Sequence, residues 1–167
     1  LIRKVRETMP RKIVKKRSEL MNIFVINCGS SSVKFQLIEM PLGKTLIKGI
    51  VDRVGQEGCT LKFQDASGEH AMDVRADNPE EACKLILNDV VRDLGLAIDA
   101  FGHRVVHGGE KYAEAALVTD EVIKDIQSLF DIAPLHNPAN CAGILACRKQ
   151  RPDLPNVAVF DTAFHHT

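Results

Sequence analysis

Apolar and polar positions fall into short blocks from Met21 to Val74, bounded by turn-forming residues. Asn22-Ile-Phe-Val-Ile26 is an apolar, β-rich run that ends at Asn27-Cys-Gly-Ser-Ser-Ser32. Val33–Ile38 alternates as a half-buried strand does, and Pro41-Leu-Gly43 marks a turn after it. Thr45–Val54, Thr60–Phe63 and Glu69–Val74 read as further strands, separated by Gly55/Gly58 and Ser67-Gly68. Together these blocks predict a β-meander with tight turns.

The period changes at residue 78. Asn78 is placed to cap a helix, Pro79 suits its first turn, and Glu81 stands where a capping-box acid belongs. Cys83, Leu85, Ile86, Val90 and Leu94 form the apolar stripe, and Gly95 stops it. Ile98–Val106 is the next strand. Thr119-Asp-Glu opens a helix reaching about Phe130, and Asn137-Pro138 caps another reaching about Arg151. Pro152 and Pro155 end it, and Val157–Phe160 is a last buried strand. The chain is therefore a mixed α/β domain.

Composition narrows the function classes without choosing one. The 167 residues are 45% hydrophobic and 26% charged, as in globular domains, and the formal net charge is zero. Residues 1–20 hold eight basic and two acidic residues, which leaves 14 basic and 20 acidic in the rest. The main body thus carries no basic surface for nucleic acid, and no apolar run is long enough to span a bilayer. Five cysteines, odd in number and scattered, suggest reduced thiols in a cytoplasmic protein. The first twenty residues read as a solvated, mobile extension, with Met21 as the natural start of a domain spanning 21–167.

Four polar segments exceed what packing asks of them. Asn27-Cys-Gly-Ser-Ser-Ser-Val-Lys34 combines a flexible Gly29, hydroxyls at Ser30 and Ser32 and the charge of Lys34 at a hairpin tip. That is a phosphate cradle, though not a Walker A loop. Gly102-His-Arg-Val-Val-His-Gly-Gly-Glu110 puts Arg104 at a strand end, where a carboxylate or phosphate would pair with it. Ala133–Asn140 brings Leu135 and His136 near a helix start, where capping accounts for Asn137. Val159–His166 sets Asp161 directly after a buried strand, where open α/β sheets place their sites. There an acid can hold magnesium, orient a cation or move a proton. A Ser31–His107–Asp161 hydrolase fails for want of a strand-to-helix nucleophile elbow.

In order, "INCGSSSVKF", "GHRVVHGGE", "APLHNPAN" and "VFDTAFHHT" resemble the acetate kinase family over residues 22–167. The resemblance implies a ribonuclease H-like mixed-sheet domain of the sugar kinase/Hsp70/actin type, the first of two such domains. It implies reversible phosphoryl transfer from ATP to acetate with Mg²⁺ or Mn²⁺, by a cytoplasmic homodimer at full length. Carried across, Asn27 helps hold the metal, Gly29, Ser30 and Ser32 line the phosphate loop, and Lys34 faces the ATP phosphates. Arg104 pairs with acetate or the phosphoryl group, Val106 and Leu135 wall the methyl pocket, and Asp161 is the catalytic acid. The family's nucleotide-binding half has no counterpart in these residues, so the chain alone is expected to be inactive. Propionate or butyrate kinase is the near alternative, and a non-catalytic nucleotide-binding module of the Hsp70/actin type the distant one.

Overall fold

The computed structural model describes residues 1–10, 20–109, 111–112 and 114–161. Eight strands form one sheet in the order β5-β4-β3-β2-β1-β6-β8-β7. Strands β1 (Met21–Cys28), β2 (Ser32–Met40), β3 (Lys44–Asp52), β4 (Thr60–Asp65) and β5 (Gly68–Asp73) pair antiparallel in sequence order, as the meander predicts. Strand β6 (Ala100–Val105) then returns parallel to β1, and β8 (Asn156–Phe160) lies parallel to β6. The short edge strand β7 (Ala115–Leu117), which the pattern did not announce, runs antiparallel to β8. Three parallel neighbours thus end together, at the carboxyl ends of β1, β6 and β8.

Strand alternation decides what each face buries. Phe24, Ile26 and Cys28 of β1, with Val33, Phe35 and Leu37 of β2, point to one face and pack against α2 (Pro79–Leu85) and α4 (Asn137–Gln150). Asn78 caps α2 by accepting from the Glu81 amide at 2.8 Å, while Glu81 accepts from the Asp77 amide at 2.7 Å. Beyond Leu85 the helix widens into a π-helical turn, Ile86–Val91, and ends at Gly95 with φ +66°. Helix α3 (Asp120–Ser128), capped by Thr119, packs with α4 on β6 and β8 through Val122, Ile126, Ile144 and Phe160.

The opposite face differs from expectation at its near end. Ile2–Thr8 form helix α1, and Val5 and Met9 are buried against Ile23, Ala100, Val157 and Val159. The basic composition of this stretch hides an amphipathic spacing in which Ile2, Val5 and Met9 share one side. A Cβ on Gly102 would meet Val5 Cγ2 at 2.6 Å, so β6 is glycine where the helix lies closest. Residues 1–10 are therefore packed, whereas residues 11–19 lie outside the described residues.

Candidate functional site

Past the end of α1 the same sheet face is open. There Asn27 of β1, Lys34 of β2 and Arg104 of β6 line one cleft of about 520 Å³, joined by Gln36, Lys48 and Ile50, with Leu1 at its edge. Asn27, Lys34 and Arg104 point to this face because their chain neighbours, Ile26 and Cys28, Val33 and Phe35, and His103 and Val105, are buried on the other side. Among the described residues the Lys34 side chain makes no ion pair or hydrogen bond, and the Asn27 amide has no partner.

Arg104 is held from one side only. Its Nε–H donates to both Asp161 oxygens, at 2.8 and 2.9 Å, and the two side chains are 53% and 21% exposed. The hydrogen bond that Arg104 donates to Asp161, followed by the charge of that carboxylate, raises the Arg104 pKa above its ordinary value. The four Nη–H groups of Arg104 carry no hydrogen bond among the described residues. They form the fork that carboxylates and phosphates accept in bidentate fashion.

The hairpin predicted as a phosphate loop is a tight turn, in which the Gly29 amide donates to the Ser32 carbonyl at 2.8 Å. The Ser31 carbonyl accepts from the Val54 amide at 2.9 Å, and Ser30 is exposed at the tip. Gly29, Ser30 and Ser32 do not line the cleft. Val106 is half-buried beyond the end of β6, and Leu135 is 71% exposed in the loop before α4. Neither Val106 nor Leu135 lines the cleft that holds Arg104. Glu110 and the residues after Asp161, including His165 and His166, lie outside the described residues.

Asn137 is not the cap that its place before Pro138 suggested. His136 is the cap position, and the Asn137 side chain is fully buried, where it accepts from the His107 amide at 3.2 Å and donates to the His107 carbonyl at 2.9 Å. One turn on, Asn140 accepts from the Val106 amide at 3.0 Å and donates to the Cys28 carbonyl at 2.7 Å. Their three-residue spacing, which puts both on one side of a helix, was the available signal. Lys48 and Gln36 were also missed, because a lysine and a glutamine on a half-exposed strand look like any solvated face.

The hydrolase arrangement is not assembled. His107 Nδ1 accepts from the Gly109 amide at 2.8 Å and Asp161 is engaged with Arg104, so the carboxylate does not orient the imidazole. Nor do three His, Cys, Asp or Glu side chains converge on a metal position among the described residues. The unpartnered Asn27 amide oxygen fits a magnesium ion held mainly by nucleotide phosphates and water, rather than one caged by protein.

The comparisons fall on this same stretch. A model described as "Acetokinase family" matches residues 22–167. The chain belongs to the acetokinase family. It is 52% identical over 153 residues to the acetate kinase of Thermotoga maritima, covering 88% of this chain and 38% of that protein. The crystal structure of Porphyromonas gingivalis acetate kinase superposes with a TM-score of 0.81 at 41% identity, over 86% of this chain and 38% of the other. A propionate kinase structure from Francisella tularensis gives 0.79 at 36% identity, over 87% and 38%. The mixed sheet is that of the sugar kinase/Hsp70/actin type, as the resemblance implied. This acetokinase-family chain spans about two fifths of the length of the relatives it matches.

Proposed function

We propose that this chain forms one wall of an ATP:acetate phosphotransferase site, which moves the γ-phosphoryl group of ATP to acetate to give acetyl phosphate and ADP. The observation that carries the reading is the outward fork of Arg104, anchored by Asp161 on one edge and open on the other beside Lys34. Phosphoryl transfer is mostly alignment and neutralisation of spread negative charge. Arg104 and Lys34 supply two fixed cations for that purpose, with Gly29, Ser30 and Ser32 steadying phosphate oxygens.

Acetate is ionised at neutral pH, carboxylic acid pKa values being about 4, so its oxygen attacks phosphorus without a base. Asp161 then acts as the group that aims Arg104. Asn27 would share a magnesium ion with the nucleotide phosphates, and that ion supplies charge neutralisation when bound. Val106 and Leu135 are the candidates for the methyl pocket, to be completed by chain beyond the 38% of the relatives that is matched here. A cytoplasmic homodimer rests on the family resemblance alone. The Francisella tularensis neighbour keeps propionate open as acceptor. A methylene discriminates by only about 1–3 kcal/mol in such pockets.

The test is a chimera in which residues 21–167 replace the matched part of the Thermotoga maritima acetate kinase. With ATP and acetate it is expected to form acetyl phosphate, trapped as hydroxamate, and propionate is offered in parallel. Arg104→Ala and Asp161→Asn should each lower kcat by about 10²-fold or more, as loss of a transition-state charge partner does. The 167-residue chain alone should give no hydroxamate. A folded chimera with no activity, or with activity indifferent to Arg104, overturns the reading.

A further inference from the structure

The parallel ladder between β1 and β6 gives out just before the site begins. Its last pair is Ile26 with His103, whereas the cleft residues Asn27 and Arg104 are each one residue further on. Nothing in the backbone ladder therefore fixes the gap between the hairpin that follows β1 and the strand end that carries the arginine fork. Asn140 spans that gap. Its Nδ2–H donates to the carbonyl of Cys28, the residue after Asn27, at 2.7 Å, and its Oδ1 accepts from the amide of Val106, two residues after Arg104, at 3.0 Å. Asn140 is 4% exposed; its bond to Cys28 is buried and its bond from the half-buried Val106 is partly so. A primary amide offers one acceptor and one donor group, and here it serves as a missing rung.

Helix α4 holds that amide in register. A Cβ added at Gly143, three residues on, would come within 2.9 Å of Cys28 Cβ, so the helix is pressed directly on the end of β1. Asn137, one turn earlier, makes both its bonds to His107 and so fixes a loop without joining two strands.

We propose that Asn140 is a positioning residue that sets the separation between the Asn27–Ser32 phosphate hairpin and the Arg104 fork. The inference rests on the phosphoryl-transfer reading for its purpose, but its geometry can be tested without it. The experiment uses the 167-residue chain, labelled for NMR, with Asn140→Ala, the volume-keeping Asn140→Leu, and His103→Gln as a destabilising control buried under the same helix layer but bonded to neither the hairpin nor Val106. Residual dipolar couplings report the orientation of residues 27–32 relative to 104–106, and a titration with inorganic phosphate reports affinity.

Both Asn140 variants are expected to reorient the hairpin relative to the strand end and to weaken phosphate about tenfold. His103→Gln, at a comparable loss of Tm, should leave orientation and affinity alone. Unchanged couplings in Asn140→Leu overturn the proposal, as does a weakening that His103→Gln reproduces. If the unaltered chain binds no phosphate, the phosphoryl-transfer reading fails, while the couplings still decide whether Asn140 sets the geometry.

Discussion

His103 and Arg104 are chain neighbours with opposite fates, because successive strand residues face opposite sides of the sheet. Arg104 reaches the open cleft, whereas His103 is 1% exposed beneath the helices, with Nε2 2.7 Å from Asn156 Oδ1. Burial, opposed only by that hydrogen bond, lowers the His103 pKa from 6.5 to about 4. Below pH 6.5 the unfolded chain takes up a proton that the folded chain refuses, so the unfolded state gains. The stability contributed by neutral His103 is complete above pH 6.5 and is lost as the pH falls towards 4, a loss of about 3 kcal/mol. Denaturant melts between pH 7.5 and 4 should therefore show a falling midpoint, and His103→Gln should remove this part of the slope. A His103→Gln slope identical to that of the parent would mean that other groups cause the acid lability.

Helix α1 shows how an element can be masked by its own charge. Residues 1–20 carry a net charge of +6, which reads as solvated chain, yet Ile2, Val5 and Met9 make a narrow apolar side that covers β6 and β8. Full burial of Val5 is worth about 1.5–3 kcal/mol, and a helix of seven residues holds only through such packing, being marginal by itself. Val5→Ala should therefore release α1 while the sheet stays folded. Trypsin should cut at Arg3, Lys4 and Arg6 far faster in the variant, with far-UV circular dichroism almost unchanged; equal cutting rates would refute the docking. The meander, both helix caps at Asn78 and Thr119, and the site strands were legible in the sequence because alternation and capping are local signals. The edge strand β7, the parallel return of β6 and the amides of α4 were not, since each depends on residues that meet only in the fold. Arg104 and Asp161 stood out as charged groups at strand ends, whereas their bond across 57 positions is a tertiary fact. Asn137 misled for a physical reason: before Pro138 a cap and a buried clamp have the same local sequence, and only His107 across the fold separates them.

At the scale of the whole molecule, the two sides of the sheet are unequally covered, and the thiols record it. Cys28, Cys59, Cys83 and Cys147 belong to the cluster under α2 and α4, and Cys141 to the cluster under α3; all five are free and buried. Burial pushes the Cys141 and Cys147 thiols up from their ordinary pKa, and a hydrogen bond with Cys28 together with burial does the same for Cys83. Reaction with a disulfide reagent needs exposed thiolate, so these groups are protected twice, by access and by protonation. The cleft on the open face, by contrast, sets Lys34, Lys48, Asn27, Gln36 and the arginine fork among apolar neighbours such as Val25 and Ile50, and no cysteine lines it. Ligand access there therefore requires no opening of the thiol-bearing layer. Under native conditions the thiols should modify slowly and with one common rate that rises with denaturant as global unfolding does, all five reacting at once when the chain is unfolded. Mass spectrometry after brief labelling should find unmodified and fully modified chains with little between. Rapid, separate labelling of Cys59 would show that the β3–β4–β5 end opens by itself, and that the two helical clusters and the meander are not one cooperative unit.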